Sequence, residues 1–229
     1  MRFSRNGNLE KFFSPTLFKF LKDLAKNNKR EWFQANKQRY ESVARDPALR
    51  FIANFAVILP RIAPGYVADP RASGGSLFRI YRDTRFSNDK TPYKTHIGMQ
   101  FRHRFGGKDV HAPCFYFHLA PKDCFIAAGL WHPDPVALLK VRRAIAENPK
   151  AWKAASRGFE LDGEALKRPP KGFDPKHPCI EDIKRKDFLT WFPMKESEVC
   201  GKNIQKDVAA ACKKMKRLVD FLSRALELP

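Results

Sequence analysis

Apolar residues recur at helical spacing through residues 1–65 and predict three helices there. Each expected start has a polar capping side chain, followed by proline or by an acidic residue in the first turn. The three starts are Ser14, Asn28 and Asp46. The Pro64-Gly65 pair is a stop signal, so the third helix is expected to end before it.

Beyond the third helix the apolar period changes to two, which is typical of half-buried strands. The alternation predicts strands at 76–82 and 96–105 and a hairpin over 114–131 that turns at 121–123. Strands that are apolar on one side need helices to cover that side. We therefore predict an α+β fold with a four-stranded, largely antiparallel sheet, whose apolar face is covered by N-terminal helices and a C-terminal helix.

The other face of this sheet is expected to stay open and to be basic and aromatic. The side chains predicted to point there are Arg79, Tyr81, Gln100, Arg102, Arg104, Tyr116 and His118.

The C-terminal part returns to helical spacing, with helices predicted at 134–147, 149–156 and 202–225. One apolar stripe on the last helix predicts packing against the core. Its members are Ile204, Val208, Ala211, Met215, Leu218 and Leu222. The whole chain is expected to form one α+β domain: a helical part (1–65), a sheet (76–131) and a part with helices and a proline-rich loop (134–229).

The composition indicates a globular protein, because 43% of the 229 residues are hydrophobic and 20 are phenylalanine. A net charge of +20 is spread along the chain, which favours weak attraction of polyanions over a dedicated DNA-reading stripe. The N-terminus lacks the apolar segment of a signal peptide, and the longest apolar run is about half a membrane span. We expect a cytoplasmic protein without a membrane partner.

The sequence contains no motif that requires a metal or a cofactor. Five cysteines form no metal-ligand spacing and are expected to be reduced thiols. No GxxxxGK[ST] loop, GxGxxG turn or GxSxG elbow occurs, which argues against nucleotide hydrolases, dinucleotide enzymes and α/β-hydrolases. We predict neither a metal nor a cofactor.

The segment "FRIYRDTRFSNDKTPYKTHIG", residues 78–98, is dense in charge, and its cations outnumber Asp83 and Asp89. Arginine offers a planar fork to phosphate or carboxylate oxygens, and lysine adds a mobile charge. We predict an anion-binding site here. Its expected members are Arg79, Arg82, Arg85, Lys90, Tyr93 and Lys94. The alternative is that these ions pair with one another and only brace a long loop.

The runs "NNKREWF", "LFRIYRDTRFSNDKTPYKTHIG", "YFHLAP", "GLWHPDP" and "LKRPPKGFDPKHP" resemble the signature of a widespread bacterial and fungal family of conserved hypothetical proteins, a domain of unknown function. The resemblance covers nearly the whole chain. It implies an intracellular α+β domain and carries over no catalytic residue.

Three functions remain open from the residues. The first is binding of a phosphate-bearing ligand, either nucleic acid or nucleotide, at the basic loop and the open sheet face. The second is an enzyme in which Asp83 or His118 acts as general base on a phosphorylated or carboxylated substrate. The third is a protein-interaction domain without catalysis. The proline-rich loop 166–178 is expected to be either a basic lid or a solvated connection.

Overall fold

The computed structural model describes residues 10–85, 87–106 and 112–229 of the chain. The segment 1–9, on which the expectation of no signal peptide rests, lies outside the described residues, as does Phe86 of the charged segment. Along the chain, helices come before the first strand, between the last two strands and after the last strand. They are α1 (Pro15–Lys26), α2 (Arg30–Ala35), α3 (Lys37–Tyr40), a π-helical turn (Glu41–Arg45), α4 (Asp46–Ile62), α5 (Pro135–Glu147), α6 (Pro149–Ser156), α7 (Ile180–Ile183), α8 (Glu196–Val199) and α9 (Ile204–Ala225).

The described strands form one antiparallel sheet in which every strand pairs with its neighbours in sequence. The strands are β1 (Tyr66–Val67), β2 (Ile97–His103), β3 (Cys114–Ala120), β4 (Asp123–Leu130) and β5 (Phe188–Met194). The predicted α+β class with an antiparallel sheet and flanking helices is confirmed, with five strands in place of four.

One face of the sheet packs against α1, α4 and α9, and forms the main core. Alternate residues of β2 and β3 point to this face, and the rings of α4 pack against them. Phe55 lies 5.0 Å from Phe101, and Phe51 lies 5.5 Å from Phe117, between ring centroids. The alternation in the sequence therefore assigned the buried face of β2 and β3 correctly.

A second core cluster lies between α5, α6, α7, the start of β5 and the C-terminal half of α9. Trp152 is fully buried there, with its ring 5.7 Å from Phe188 and 5.2 Å from Phe221. All six residues of the predicted α9 stripe are buried, and the helix contributes to both clusters. No helix in the described part of the chain is long and apolar enough to cross a membrane.

The predicted strand at 76–82 was wrong. These residues form only isolated bridges, Leu77 with Met99 and Tyr81 with Tyr93. The chain leaves the sheet because Ile80 and Arg82 bond to the returning arm of their own loop. Strand β5 was missed, because a proline, Pro193, inside a short run argues against a strand. Proline is tolerated in an edge strand, where an N–H is not needed for pairing.

The predicted helix starts also needed correction. Helix α2 begins at Arg30, and the side chain of Asn28 bonds to the backbone of a distant loop residue, Tyr93, instead of capping the helix. Ser14 does precede α1, but its hydroxyl bonds to Thr16 at 2.6 Å and caps no backbone N–H. The last helix begins at Ile204, two residues later than predicted.

Asp187 is a buried carboxylate that fastens three distant segments. It accepts the backbone N–H of His132 at 2.7 Å and that of Glu164 at 3.2 Å. The Nδ1 atom of His132 also lies 3.4 Å from the carboxylate. These contacts tie the end of β4 and the segment after α6 to the start of β5.

We expect Asp187→Ala to lower the free energy of unfolding by about 2–4 kcal/mol, because two part-buried backbone N–H groups would lose their charged acceptor. Chemical denaturation measures this change. Glu160→Ala removes an exposed carboxylate and should change stability by less than about 0.5 kcal/mol. Equal stability of the two variants would contradict the bracing role of Asp187.

Candidate functional site

The charged loop, residues 78–96, folds back on itself beside the sheet. Three backbone bonds close it: Phe78 donates to Gly98 at 2.9 Å, Arg82 to Pro92 at 2.9 Å, and Lys94 to Ile80 at 2.8 Å. The loop is thus a narrow, irregular arm that starts and ends next to β2.

Tyr93 anchors the returning arm to the N-terminal helices. Its backbone N–H donates to Asn28 at 3.1 Å, and its carbonyl accepts from the Asn28 amide at 2.9 Å. Its ring stacks on Phe33 with centroids 4.1 Å apart, and the residue is 2% exposed. Tyr93 was predicted to contact an anion. The structure places its ring in the core, at the wall of the site.

Several predicted anion-binding cations have partners inside the loop. Arg82 pairs with Asp89 and donates to the Thr91 hydroxyl at 2.6 Å. Arg85 pairs with Asp83 at 2.7 Å. The ammonium of Lys90 donates to the carbonyl of Thr84 at 2.9 Å. These three cations are therefore arranged as expected if the charged side chains pair with one another and brace the loop.

The carboxylates in these pairs are strongly stabilised in their ionised form. Hydrogen bonds from Arg85 lower the pKa of Asp83 to about 2. The backbone N–H of Thr91, followed by the Arg82 guanidinium, lowers the pKa of Asp89 to about 2. A carboxylate with so low a pKa is a weak base at neutral pH, which matters for Asp83 because it was a candidate general base.

Lys94 differs from the other cations of the loop. Its ammonium lies over the Phe78 ring, 5.1 Å from the centroid, and forms no ion pair or hydrogen bond within the described part of the chain. Burial lowers the pKa of Lys94, and the positive charge of Arg79 lowers it further. Lys94 is therefore a partly desolvated cation that is repelled by the charge of Arg79.

A pocket of about 560 Å³ opens beside Lys94. Its walls come from the end of α1, the segment that follows this helix and both arms of the charged loop. They are formed by Ala25, Asn28, Arg82, Asp83, Asp89, Thr91, Tyr93, Lys94, Thr95 and His96. Three of the six predicted anion-binding residues, Arg82, Tyr93 and Lys94, thus line one pocket. Arg79 lies close enough for its charge to lower the pKa of Lys94 and that of Asp83.

Two histidines meet at the junction between the pocket and the sheet. The rings of His96 and His118 lie 4.5 Å apart, and His118 is bonded through Nδ1 to the Tyr116 hydroxyl at 3.2 Å. Burial, followed by the charges of His118, Lys94 and Arg82, lowers the pKa of His96 to about 4. Burial also lowers the pKa of His118, against the opposing charge of Asp123. Both rings are neutral at pH 7.

The predicted open face is only partly as expected. Gln100, Arg102, Tyr116 and His118 do lie on the side of β2 and β3 away from the main core, but Gln100 is buried there, with 4% of its surface exposed. Arg79 and Tyr81 lie in the charged loop, off the strands, while Arg104 follows β2 and donates to the carbonyl of Pro64.

The open face also carries two aromatic residues that we did not predict as site residues. Phe125 lies opposite His118 on β4, with the two rings stacked at 4.7 Å. Trp191 on β5 lies 6.0 Å from Phe125 and is 48% exposed. The alternation of "FLTWFPM" is the signal that would have placed Trp191 on this face.

The proline-rich loop 166–178 packs against the second core cluster and α5, and none of its residues lines the pocket. Phe173 packs against the second core cluster, and Nε2 of His177 lies 3.1 Å from the carbonyl of Ala146 in α5. This geometry favours the connection over the lid. Among the described residues, no three His, Cys, Asp or Glu side chains are grouped as metal ligands. The five cysteines are free thiols.

Comparison with known proteins identifies one family. A family model described as a conserved hypothetical protein (DUF2461) matches residues 16–221. No curated protein and no solved structure matches the chain.

The buried His96 predicts how stability depends on pH. An unfolded histidine has its ordinary pKa of 6.5, whereas that of folded His96 is about 4, so the unfolded chain binds more protons between these values. The free energy of unfolding should therefore fall as the pH drops from 6.5 to 4. The part due to His96 should be on the order of 1–3 kcal/mol after allowance for solvent screening.

Urea denaturation at several pH values, on the wild type and on His96→Gln, measures this contribution. The difference between the two proteins should change across the window from 6.5 to 4 and stay constant above it. A difference that stays constant throughout would show that the environment of His96 does not disfavour its charged form.

Proposed function

We propose that this chain, which belongs to the DUF2461 family of conserved hypothetical proteins, binds a phosphate-bearing ligand in the pocket beside the charged loop. Lys94 is the principal anion-binding residue, assisted by Arg79. Arg82 lines the same pocket and is oriented by Asp89 and Thr91.

The position of the Lys94 ammonium carries this proposal. Removing an ammonium from water is costly unless an opposite charge or hydrogen-bond acceptors compensate for the loss. In the described part of the chain this ammonium has a cation–π contact with the Phe78 ring but no ion pair or hydrogen bond. A cation over a phenyl ring gains only about 0.5–2 kcal/mol. A bound anion would supply the missing charge and would also relieve the repulsion between Lys94 and Arg79.

The volume of the pocket supports a ligand in which the anionic group is attached to a larger organic molecule. A volume of about 560 Å³ falls within the range of about 300–1,000 Å³ that is usual for small-molecule sites. Phosphate suits the site better than carboxylate, because its additional oxygens allow Lys94, Arg79 and Arg82 to contact one group together.

The enzyme alternative has weaker support. Asp83 is paired with Arg85 and has a pKa of about 2, which is far from the value that a general base needs at neutral pH. His118 is neutral and contacts His96 at the pocket, so it is the better candidate if a reaction does follow binding. These observations favour binding as the primary function.

Sulfate titration tests the proposal through Lys94→Met. At a sulfate concentration ten times the dissociation constant, binding should stabilise the wild type by about 1.4 kcal/mol. For a chain of this size that corresponds to a Tm increase of roughly 3–6 °C. In Lys94→Met the increase should disappear, while the Tm without sulfate should be unchanged or higher, because a desolvated charge and a repulsion are removed.

The control is Lys150→Met, which removes the same charge from an exposed position on α6. Scanning calorimetry should use sodium chloride at matched ionic strength as the reference, and Lys150→Met should respond to sulfate like the wild type. An equal response of all three proteins would reject Lys94 as the anion-binding residue.

A further inference from the structure

We propose that the open sheet face binds single-stranded nucleic acid, with one backbone phosphate at Lys94 and bases stacked on Phe125 and Trp191. The inference rests on the proposed function, because it uses the same anion site, and it specifies the ligand class. It adds a binding surface that lies outside the pocket.

A continuous aromatic strip leads away from the pocket across three strands. It begins at His96, and successive ring centroids are separated by 4.5 Å to His118, 4.7 Å to Phe125 and 6.0 Å to Trp191. The pairing of β3 with β4 and of β4 with β5 places these side chains on the same face of the sheet. Neighbouring strands lie about 4.8 Å apart, so the strip is on the order of 15 Å long.

Exposure increases along the strip with distance from the pocket. The side chain of His118 is 12% exposed, that of Phe125 is half-buried, and Trp191 is 48% exposed. Pro193, the partner of Phe125 on β5, is exposed as well. The small side chain of Ala127 lies directly opposite Trp191. On β4 the indole ring is therefore flanked by the Phe125 ring but not covered by a bulky side chain in the directly opposite position. Phe125 and Trp191 thus present ring surface beyond the mouth of the pocket.

The charges around the strip favour a polyanion over an apolar peptide. Two cations, Lys94 and Arg79, lie at its inner end, against one carboxylate, Asp123, whose Oδ2 lies 3.8 Å from Nε2 of His118. The chain carries a net charge of +20. Attraction by cations combined with flat aromatic surfaces is the usual chemistry of single-strand binding, in which bases stack on the rings and the backbone follows the positive charge.

A single strand fits this arrangement better than a duplex. In a duplex the base faces are already stacked on one another and are not available to protein rings. A mononucleotide in the pocket would place its phosphate at Lys94 but would leave Trp191 without a function. An oligonucleotide can occupy both ends of the strip at once.

Fluorescence anisotropy with a fluorescein-labelled ten-residue oligothymidylate tests the inference. Base stacking on an aromatic ring contributes about 1–3 kcal/mol, so Trp191→Leu should raise the Kd roughly 5- to 160-fold. Trp191→Phe should restore most of the affinity, because it keeps a ring. Val136→Ala changes an exposed apolar residue on α5 and should bind like the wild type.

Salt dependence tests the anion end of the same complex. The logarithm of the binding constant should fall linearly with the logarithm of salt concentration, by about 0.7 per phosphate contacted. Lys94→Met should reduce the magnitude of this slope by about the value for one contact. A labelled hairpin duplex of the same length should bind more weakly than the single strand.

The outcomes separate the two proposals. If sulfate stabilises the protein through Lys94 but the oligonucleotide fails to bind, or binds Trp191→Leu as tightly as the wild type, the inference is overturned and the proposed function stands. Tighter binding of the duplex overturns the inference in the same way. If neither sulfate nor the oligonucleotide binds, both proposals fail. Thermal melts confirm that each variant is folded, and Phe125→Leu serves as the second strip variant.

Discussion

The bonds between Asn28 and Tyr93 are the connection on which the candidate site depends. They join the second residue after α1 to the returning arm of the charged loop, across 65 positions of sequence. Stacking of Tyr93 on Phe33 buries the joint and shields it from water. Because the next residue is Lys94, this joint also fixes where the ammonium lies relative to the Phe78 ring.

The loop is stabilised by its own ion pairs, but these pairs do not use all of its cations. Arg82, Arg85 and Lys90 are held by partners within the loop, and both of its acidic residues, Asp83 and Asp89, are used in doing so. Exposed pairs of this kind add little stability, typically about 0–1 kcal/mol each. Their main effect is geometric, because they keep Asp83 and Asp89 on Arg85 and Arg82, so that neither carboxylate pairs with Lys94.

The fold could be predicted where the signal was local. The alternation through Phe101 and Phe117 identified the buried side of the sheet, and the apolar stripe of α9 identified a core helix. Strand β1 is only two residues long and carries no periodic signal, and Pro193 concealed β5. Such strands form because their backbone pairs with a neighbouring strand, and a short stretch of sequence does not show which strand that is.

The site could be predicted only in part, for a similar reason. Charge density marked the loop, and the pairing of Asp83 with Arg85 is a contact between near neighbours. The decisive contact, the clamp of Tyr93 by Asn28, joins residues far apart in sequence. Lys94 has no acidic partner among the described residues, and this follows from where the described carboxylates lie in the fold rather than from any short stretch of sequence.

The position of a bound anion tests this account most directly. Crystals of the wild-type protein soaked in selenate, an anomalously scattering analogue of sulfate, would reveal each occupied anion site. The account predicts a difference peak in the pocket within hydrogen-bonding distance of the Lys94 ammonium, on the side of Arg79. A pocket without a peak, in a crystal where Lys94 is paired with a carboxylate and selenate occupies other sites, would contradict it.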